Sequence, residues 1–223
     1  MKKNLLITIA SILAMTAPGI ARAQLYVTAQ IGGVPTVTGA TLENFDESTP
    51  PSILTLSGDA YLLSGNSAIG TEPYFSGSTA AYFGESPAVG FDASEYVAVE
   101  NGGSATFNFS TPQNYFGMLI GTIDALNRLT FYDGANNLIG TVLGSDIPGI
   151  TLGSGLPSDT SYVDITSTTP FSKVVADYVG VALEFDDVAY ARVVPEPSGN
   201  VLLIVGLCLL VFASRRKLMK STE

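Results

Sequence analysis

The chain contains no histidine and no tryptophan, and its one cysteine is Cys208. Without histidine the usual Ser-His and Cys-His catalytic arrangements are excluded. Zinc centres in their usual forms are excluded with them. Cys208 lies in an apolar run near the C-terminal end, where it reads as a small apolar filler, so the body of the chain has no disulfide. Positive charge is also nearly missing from the middle. Residues Gln24–Val194 hold Arg128, Lys173 and Arg192 against eighteen Asp and Glu, a net −15. Such a body has no cationic surface with which to displace counterions, which argues against nucleic acid and anionic membranes as partners. It suits cation binding, neutral polysaccharide or simple solubility. The missing tryptophan removes the commonest platform for stacking on a sugar ring.

What is present begins with the two ends. Lys2 and Lys3 precede a nearly uninterrupted apolar or small stretch, Leu5–Ile20, and Ala21-Arg22-Ala23 supplies the small-x-small pattern that signal peptidase accepts. Residues 1–23 therefore read as a secretory signal peptide, with cleavage expected after Ala23 and passage through the general export machinery. At the other end Val194-Pro195-Glu196-Pro197 leads into Val201–Ala213, an uncharged apolar run, and then Arg215-Arg216-Lys217. As a helix that run covers only ~20 Å, short of the ~30 Å hydrocarbon core. Extension through Ser198–Asn200 and Ser214, with the basic residues snorkelling to the headgroups, makes a transmembrane helix over about 198–214. The alternative is a buried helix of a soluble fold, but the run is apolar on every face. The basic stop at 215–220 places the tail end in the cytoplasm and the body outside it.

A Pro-Glu-Pro motif, an apolar segment and a basic cluster in that order resemble a PEP-CTERM sorting signal. The resemblance implies a Gram-negative bacterium that makes extracellular polysaccharide. It also implies recognition by an exosortase, which would cut near Pro195-Glu196-Pro197 and pass the protein to the cell surface or matrix. An ordinary Pro-rich linker ahead of a permanent membrane anchor would use the same residues. In either case Pro195 and Pro197 keep the backbone extended upstream of the helix.

Between the ends, residues 24–192 are one domain's length. Gly, Ser, Thr and Pro clusters recur every eight to fifteen residues and separate short stretches with period two. This predicts an all-β fold, a single antiparallel β-sandwich. Thr106–Phe109 puts two Phe rings on one face. Val181, Leu183 and Phe185 point inward, with Glu184 and Asp186 outward. Tyr162–Thr166 and Lys173–Val179 read as separate strands, and Thr36–Phe45 as the first. Asp133–Asn137 reads as a hairpin loop with Gly134 at positive φ, and Gly65–Gly90 as long ordered loops. The segments Gly103–Phe109, Pro112–Gly121, Phe131–Gly134 and Phe185–Val188 resemble the β-sandwich ectodomains of exosortase-dependent surface proteins, which implies a jelly-roll, carbohydrate-binding-module-like shape. A fold of that kind does not by itself specify an activity.

Two acidic segments, Glu43–Glu47 and Glu184–Asp187, lie near the two ends of the body. If first and last strands run side by side, their carboxylates meet. Calcium takes six to eight oxygen ligands, which carboxylates and loop carbonyls supply. Glu43, Asp46 and Asp187 are accordingly candidate ligands of a structural Ca²⁺, with solvated strand ends as the alternative. Tyr61, Tyr74, Phe75, Tyr82 and Phe83 could stack on sugars or simply pack across loops. No carboxylate pair stands out for glycoside hydrolysis. The reading is a non-catalytic surface or matrix protein associated with exopolysaccharide or biofilm. Its alternatives are a carbohydrate-binding module with a defined glycan and a secreted hydrolase.

Overall fold

The computed structural model describes residues 23–46, 51–153, 160–178, 180 and 182–193. All of the expected signal peptide 1–23 but Ala23, the motif 194–197, the membrane helix over about 198–214 and the basic stop 215–220 lie outside the described residues. So does Val181. Among the described residues no helix is long and apolar enough to cross a membrane. Two compact units divide the chain, Met1–Arg192 and Val193–Glu223.

The body is all-β and antiparallel. Its strands are β1 (Leu25–Ile31), β2 (Thr41–Glu43), β3 (Leu54–Ser57), β4 (Ala60–Ser64), β5 (Tyr74–Phe75), β6 (Gly90–Phe91), β7 (Glu95–Val99), β8 (Ser104–Ile120), β9 (Asn127–Tyr132), β10 (Leu138–Leu143), β11 (Ser161–Tyr178) and β12 (Leu183–Ala191). One short helix, α1 (Thr79–Phe83), lies between β5 and β6. β5 and β6 pair with each other, and the other ten strands form one hydrogen-bonded sheet in the order β10-β9-β11-β8-β12-β7-β4, with β1 on β11, β2 on β12 and β3 on β8.

The rings in β8 show how one sheet makes two layers. Phe107 and Phe116 are nine residues apart, about 30 Å along a straight strand, yet their centroids are 5.2 Å apart. The strand must therefore bend back on itself. β11 bends beside it, and their register slips between Thr166 and Phe171. Pro112 and Pro170 stand at this corner, where a missing ladder N–H is tolerated. The N-terminal half of β8 thus faces its own C-terminal half, and Phe107, Phe116, Phe131, Phe171 and Phe185 fill the space between. The rings meet mostly edge to face, the arrangement their quadrupoles favour.

The two layers have different outer faces. In the first, residues alternate as a half-exposed sheet should: Ala105, Phe107 and Phe109 are buried and Asn108 is exposed. In the second, Tyr115–Ile120 and Ser161–Ile165 are buried without a break, because loops and α1 cover the face turned away from the core. Truncating the ring at the bend is expected to be costly. Phe107→Ala should lose about 3–5 kcal/mol, whereas the outward Thr106→Ala should cost under ~1 kcal/mol. Urea midpoints of the two variants would check this difference.

Several sequence expectations need correcting. The first strand is Leu25–Ile31, and only Thr41–Glu43 of the expected 36–45 strand forms. The two strands expected over 162–179 are one bent strand. In the Asp133–Asn137 turn the residue at positive φ is Asn136, at 65°, and not Gly134. Asp133 Oδ1 accepts hydrogen bonds from the backbone N–H of Ala135 and Asn137 and so closes the turn. The bond from the Asn137 side-chain amide, then those from the backbone N–H of Asn137 and Ala135, hold the Asp133 carboxyl below its ordinary pKa.

Candidate functional site

The expected meeting of the two acidic segments occurs. β2 pairs with β12 in the register Glu43↔Val188, Leu42↔Ala189, Thr41↔Tyr190. Just beyond β2, Phe45 adopts φ 57° and buries its ring edge-on against Phe185, 6.1 Å away. Asn44 and Asp46 flank that anchor. On β12 the pairing with β8 slips between Asp186 and Ala189, and Asp187 sits in the left-handed region at φ 51°. A β-bulge of this kind re-aims side chains away from strict alternation. Asp186 itself pairs with Leu119 on the face away from the core, as expected, and is nevertheless fully buried because the covering loop that carries Asp92 lies over it.

Two further acids join from the loops. α1 ends at Gly84, in the left-handed conformation, and the N–H groups of Gly84 and Glu85 both bond to Ala80 O, which fixes Glu85 just past the helix. Asp92 follows β6. Its N–H bonds to Pro73 O, and its Oδ1 accepts from the N–H and hydroxyl of Ser94 at 2.9 and 2.7 Å. Asn44 Nδ2 donates to Asp46 Oδ2 and Glu85 Oε1, each at 2.5 Å.

The result is a cluster of Asp46, Glu85, Asp92, Asp186 and Asp187 whose members act on one another. Burial, then the charges of Asp92, Glu85 and Asp46, pushes the Asp187 carboxyl up to about 9. Burial, then hydrogen bonding and charge from Asp46, pushes Glu85 up to about 7, against the opposing bond from Asn44. Asp186 is raised well above the ordinary range by burial, then by Asp92 and Asp187. Asp92, Asp186 and Asp187 are each 0% exposed. Asp92 Oδ2, Asp186 Oδ2 and both carboxylate oxygens of Asp187 are buried with no hydrogen-bond partner.

Four orphaned carboxylate oxygens in one place are expensive, because a buried carboxylate must be neutralised or paired. Two chemical states relieve the cluster: protonation, or a cation among the oxygens. The available donors are all oxygen, from carboxylates and loop carbonyls, which is the ligand chemistry of Ca²⁺ and not of zinc. Among the described residues no three Asp, Glu, Cys or His side chains form a ready-made metal-ligating group. The acids are therefore gathered but not arranged as a finished coordination shell.

Of the three sequence candidates, Asp46 and Asp187 come together here. Glu43 stands opposite Val188, and its charge raises Tyr190 after the larger effect of burial. Glu85, Asp92 and Asp186 were missed as ligands. The bulge at Asp187 and the loop closure that covers Asp186 and brings Glu85 and Asp92 across have no local signature, although the Asp186-Asp187 pair itself was visible.

A second feature is a cleft of about 350 Å³ at the loop end, lined among others by Glu72, Phe91, Asp124, Thr160 and Glu184. Glu184 Oε1 accepts from Thr71 N–H at 3.3 Å, and its carboxyl is raised mainly by burial. Phe91 stands edge-on to Tyr74 with centroids 5.4 Å apart. Of the aromatics singled out in the loop region, Phe75 is buried and Phe83 packs on Tyr162 at 5.8 Å. Tyr61 and Tyr82 remain exposed.

Comparison with curated proteins finds no match. Among solved structures the chain is similar to CsCBM6-3 from Clostridium stercorarium in complex with cellobiose, with 14% identity, a TM-score of 0.38, and coverage of 69% of this chain and 94% of that one. It is also similar to the xylan-binding domain from CBM 22, with 15% identity, a TM-score of 0.29, and coverage of 67% and 92%. A third is the catalytic domain of a GH87 alpha-1,3-glucanase in complex with tetrasaccharides, with 13% identity, a TM-score of 0.33, and coverage of 66% and 29%. These are loose likenesses of shape, and no function is taken from them. The specific match lies elsewhere: at residues 193–217 the chain carries the PEP-CTERM protein-sorting motif.

Proposed function

We propose that this is a non-catalytic, exported surface protein. Its tail is processed by an exosortase, and its β-sandwich body works with extracellular polysaccharide outside the inner membrane of a Gram-negative cell. The observation that carries this reading is the sorting motif at 193–217. It follows a body with almost no positive charge and no histidine or cysteine before Cys208. Signal peptidase would remove residues 1–23, the helix over about 198–214 would hold the intermediate in the membrane, and Arg215, Arg216 and Lys217 would stop it there. In the body, a structural Ca²⁺ held by Asp46, Glu85, Asp92, Asp186 and Asp187 would neutralise the acidic cluster and staple the covering loops to β12. The four orphaned carboxylate oxygens support that assignment.

Intact mass of the protein recovered from the cell surface tests the sorting. A form beginning at Gln24 and ending near Val194–Ser198 is expected. Replacing Pro195-Glu196-Pro197 with three alanines should leave export intact and reduce surface delivery to background. A recovered mass running to Glu223 would instead make this a permanently anchored membrane protein, and undiminished delivery of the variant would reduce the motif to a linker.

A further inference from the structure

Two of the three cations of the body, Arg128 and Lys173, stand on one sheet face. In the pairing of β9 with β11, Tyr132 lies opposite Lys173, Thr130 opposite Val175 and Arg128 opposite Asp177. On the other side of β9, Thr141 of β10 lies opposite Thr130. Since side chains alternate along a strand, these residues share the outward face, and their neighbours Leu129, Phe131, Val174 and Ala176 form the core. The outward row through Thr130 continues over β8 and β3 as Thr106 and Thr55.

The polar groups here are held in position. The Arg128 guanidinium grips Asp177 through Nε and Nη2 at 2.6 and 2.9 Å, although the two side chains are 45% and 19% exposed. Lys173 Nζ sits 4.1 Å from the centre of the Tyr132 ring and donates to Asn136 Oδ1 in the adjoining turn. Arg128, Thr130, Tyr132, Thr141, Asp146 and Asp177 line a trough of about 530 Å³, within the range of small-ligand sites. The charges in and beside it nearly cancel: Arg128 and Lys173 stand against Asp146, Asp177 and Asp133 of the adjoining turn. The rest of the body is strongly acidic.

We propose that this trough over β9 and β10 binds a neutral polysaccharide chain, with the Arg128–Asp177 fork and the exposed Thr141 hydroxyl taking its hydroxyl groups. A surface of low net charge that carries paired donors and acceptors offers an uncharged polyol what it needs. An acidic polymer would instead meet the field of the whole body. The two bonds of the fork fix the Arg128 guanidinium while its side chain stays 45% exposed, so it is available for a ligand. The assignment rests on the reading that the body works with extracellular polysaccharide.

The test is affinity electrophoresis and calorimetry of the full chain in a sugar-free zwitterionic detergent. The probes are hydroxyethylcellulose, laminarin, arabinoxylan, alginate and the neutral exopolysaccharide extracted from the producing cells. At least one neutral polymer should bind, and alginate should bind more weakly. Arg128→Ala should weaken that binding about tenfold or more. Thr141→Arg, on the edge strand and facing solvent, should block it sterically, and equal melting temperatures would show that both variants fold. If the unaltered protein binds but both variants bind equally well, the trough is wrong and the polysaccharide reading stands. Loss on Phe91→Ala with Arg128→Ala unaffected would place the chain in the loop cleft and also overturn the proposal. Preference for alginate would overturn the neutral-ligand assignment, and no binding to any polymer would overturn both readings.

Discussion

Calcium added to the metal-free protein at pH 8 should raise its melting temperature by roughly 5–11 °C. A ligand at a hundred times its Kd stabilises the folded state by about 2.7 kcal/mol, and each kcal/mol moves the midpoint of a domain this size by about 2–4 °C. The pH dependence should change sign with the metal. Without calcium, Asp187 is raised to about 9 and Glu85 to about 7, and Asp186 is raised as well. In the unfolded chain these groups return to about 4. Between those values the folded state carries more protons than the unfolded one, so stability falls as pH rises. As far as this cluster is concerned, the metal-free protein is therefore expected to be most stable at and below about pH 4, and to lose stability as pH rises from there, Glu85 contributing to the loss up to about pH 7 and Asp187 up to about pH 9. Calcium competes with the same protons, so its stabilisation should grow over that interval. Melting curves at pH 5, 7 and 9, in chelator and in millimolar calcium, decide the matter. Curves that ignore both calcium and pH would remove the cation site.

Asp187→Asn should abolish most of that response. The substitution keeps the shape of the side chain. It also keeps the backbone, because Asn tolerates the left-handed φ of 51° that Ala would adopt at a cost of about 1–2 kcal/mol. It also removes the proton that folding must take up: with its carboxyl raised to about 9, Asp187 is largely protonated in the folded protein at pH 8 and ionised in the unfolded chain. At pH 8 the metal-free variant should melt higher than the metal-free parent, while its calcium affinity should fall about tenfold or more. A loss of stability in chelator together with an undiminished calcium shift would show that Asp187 has a different role. Asp133→Asn is the informative comparison, since Asp133 caps an exposed hairpin turn. It should weaken the turn and leave the calcium shift unchanged.

The legible parts of the fold were those where one face of a strand meets solvent. Thr106–Phe109 and Leu183–Phe185 alternate because an apolar core lies on one side and a more polar surface on the other. In Tyr115–Ile120 and Ser161–Ile165 that alternation disappears, since covering loops and α1 exclude solvent from the second face too. The bend that folds β8 and β11 into two layers was equally invisible. It is stabilised by contacts such as that between Phe107 and Phe116, which are formed only once the layers close.

Composition and order alone determined the sorting tail, the acidity of the body and the exclusion of histidine and thiol chemistry. These properties are carried by residue types in short stretches and need no packing to act. The sequence also brought Asp46 and Asp187 together as candidates, because neighbouring first and last strands are a general way to close a β-sandwich. Only the tertiary structure decided that loops bury the outward Asp186, that Glu85 and Asp92 arrive from separate loops, and that Arg128, Lys173 and Thr141 share one face. Those placements depend on register, bends and loop closure, and each is stabilised by contacts between residues far apart in the chain.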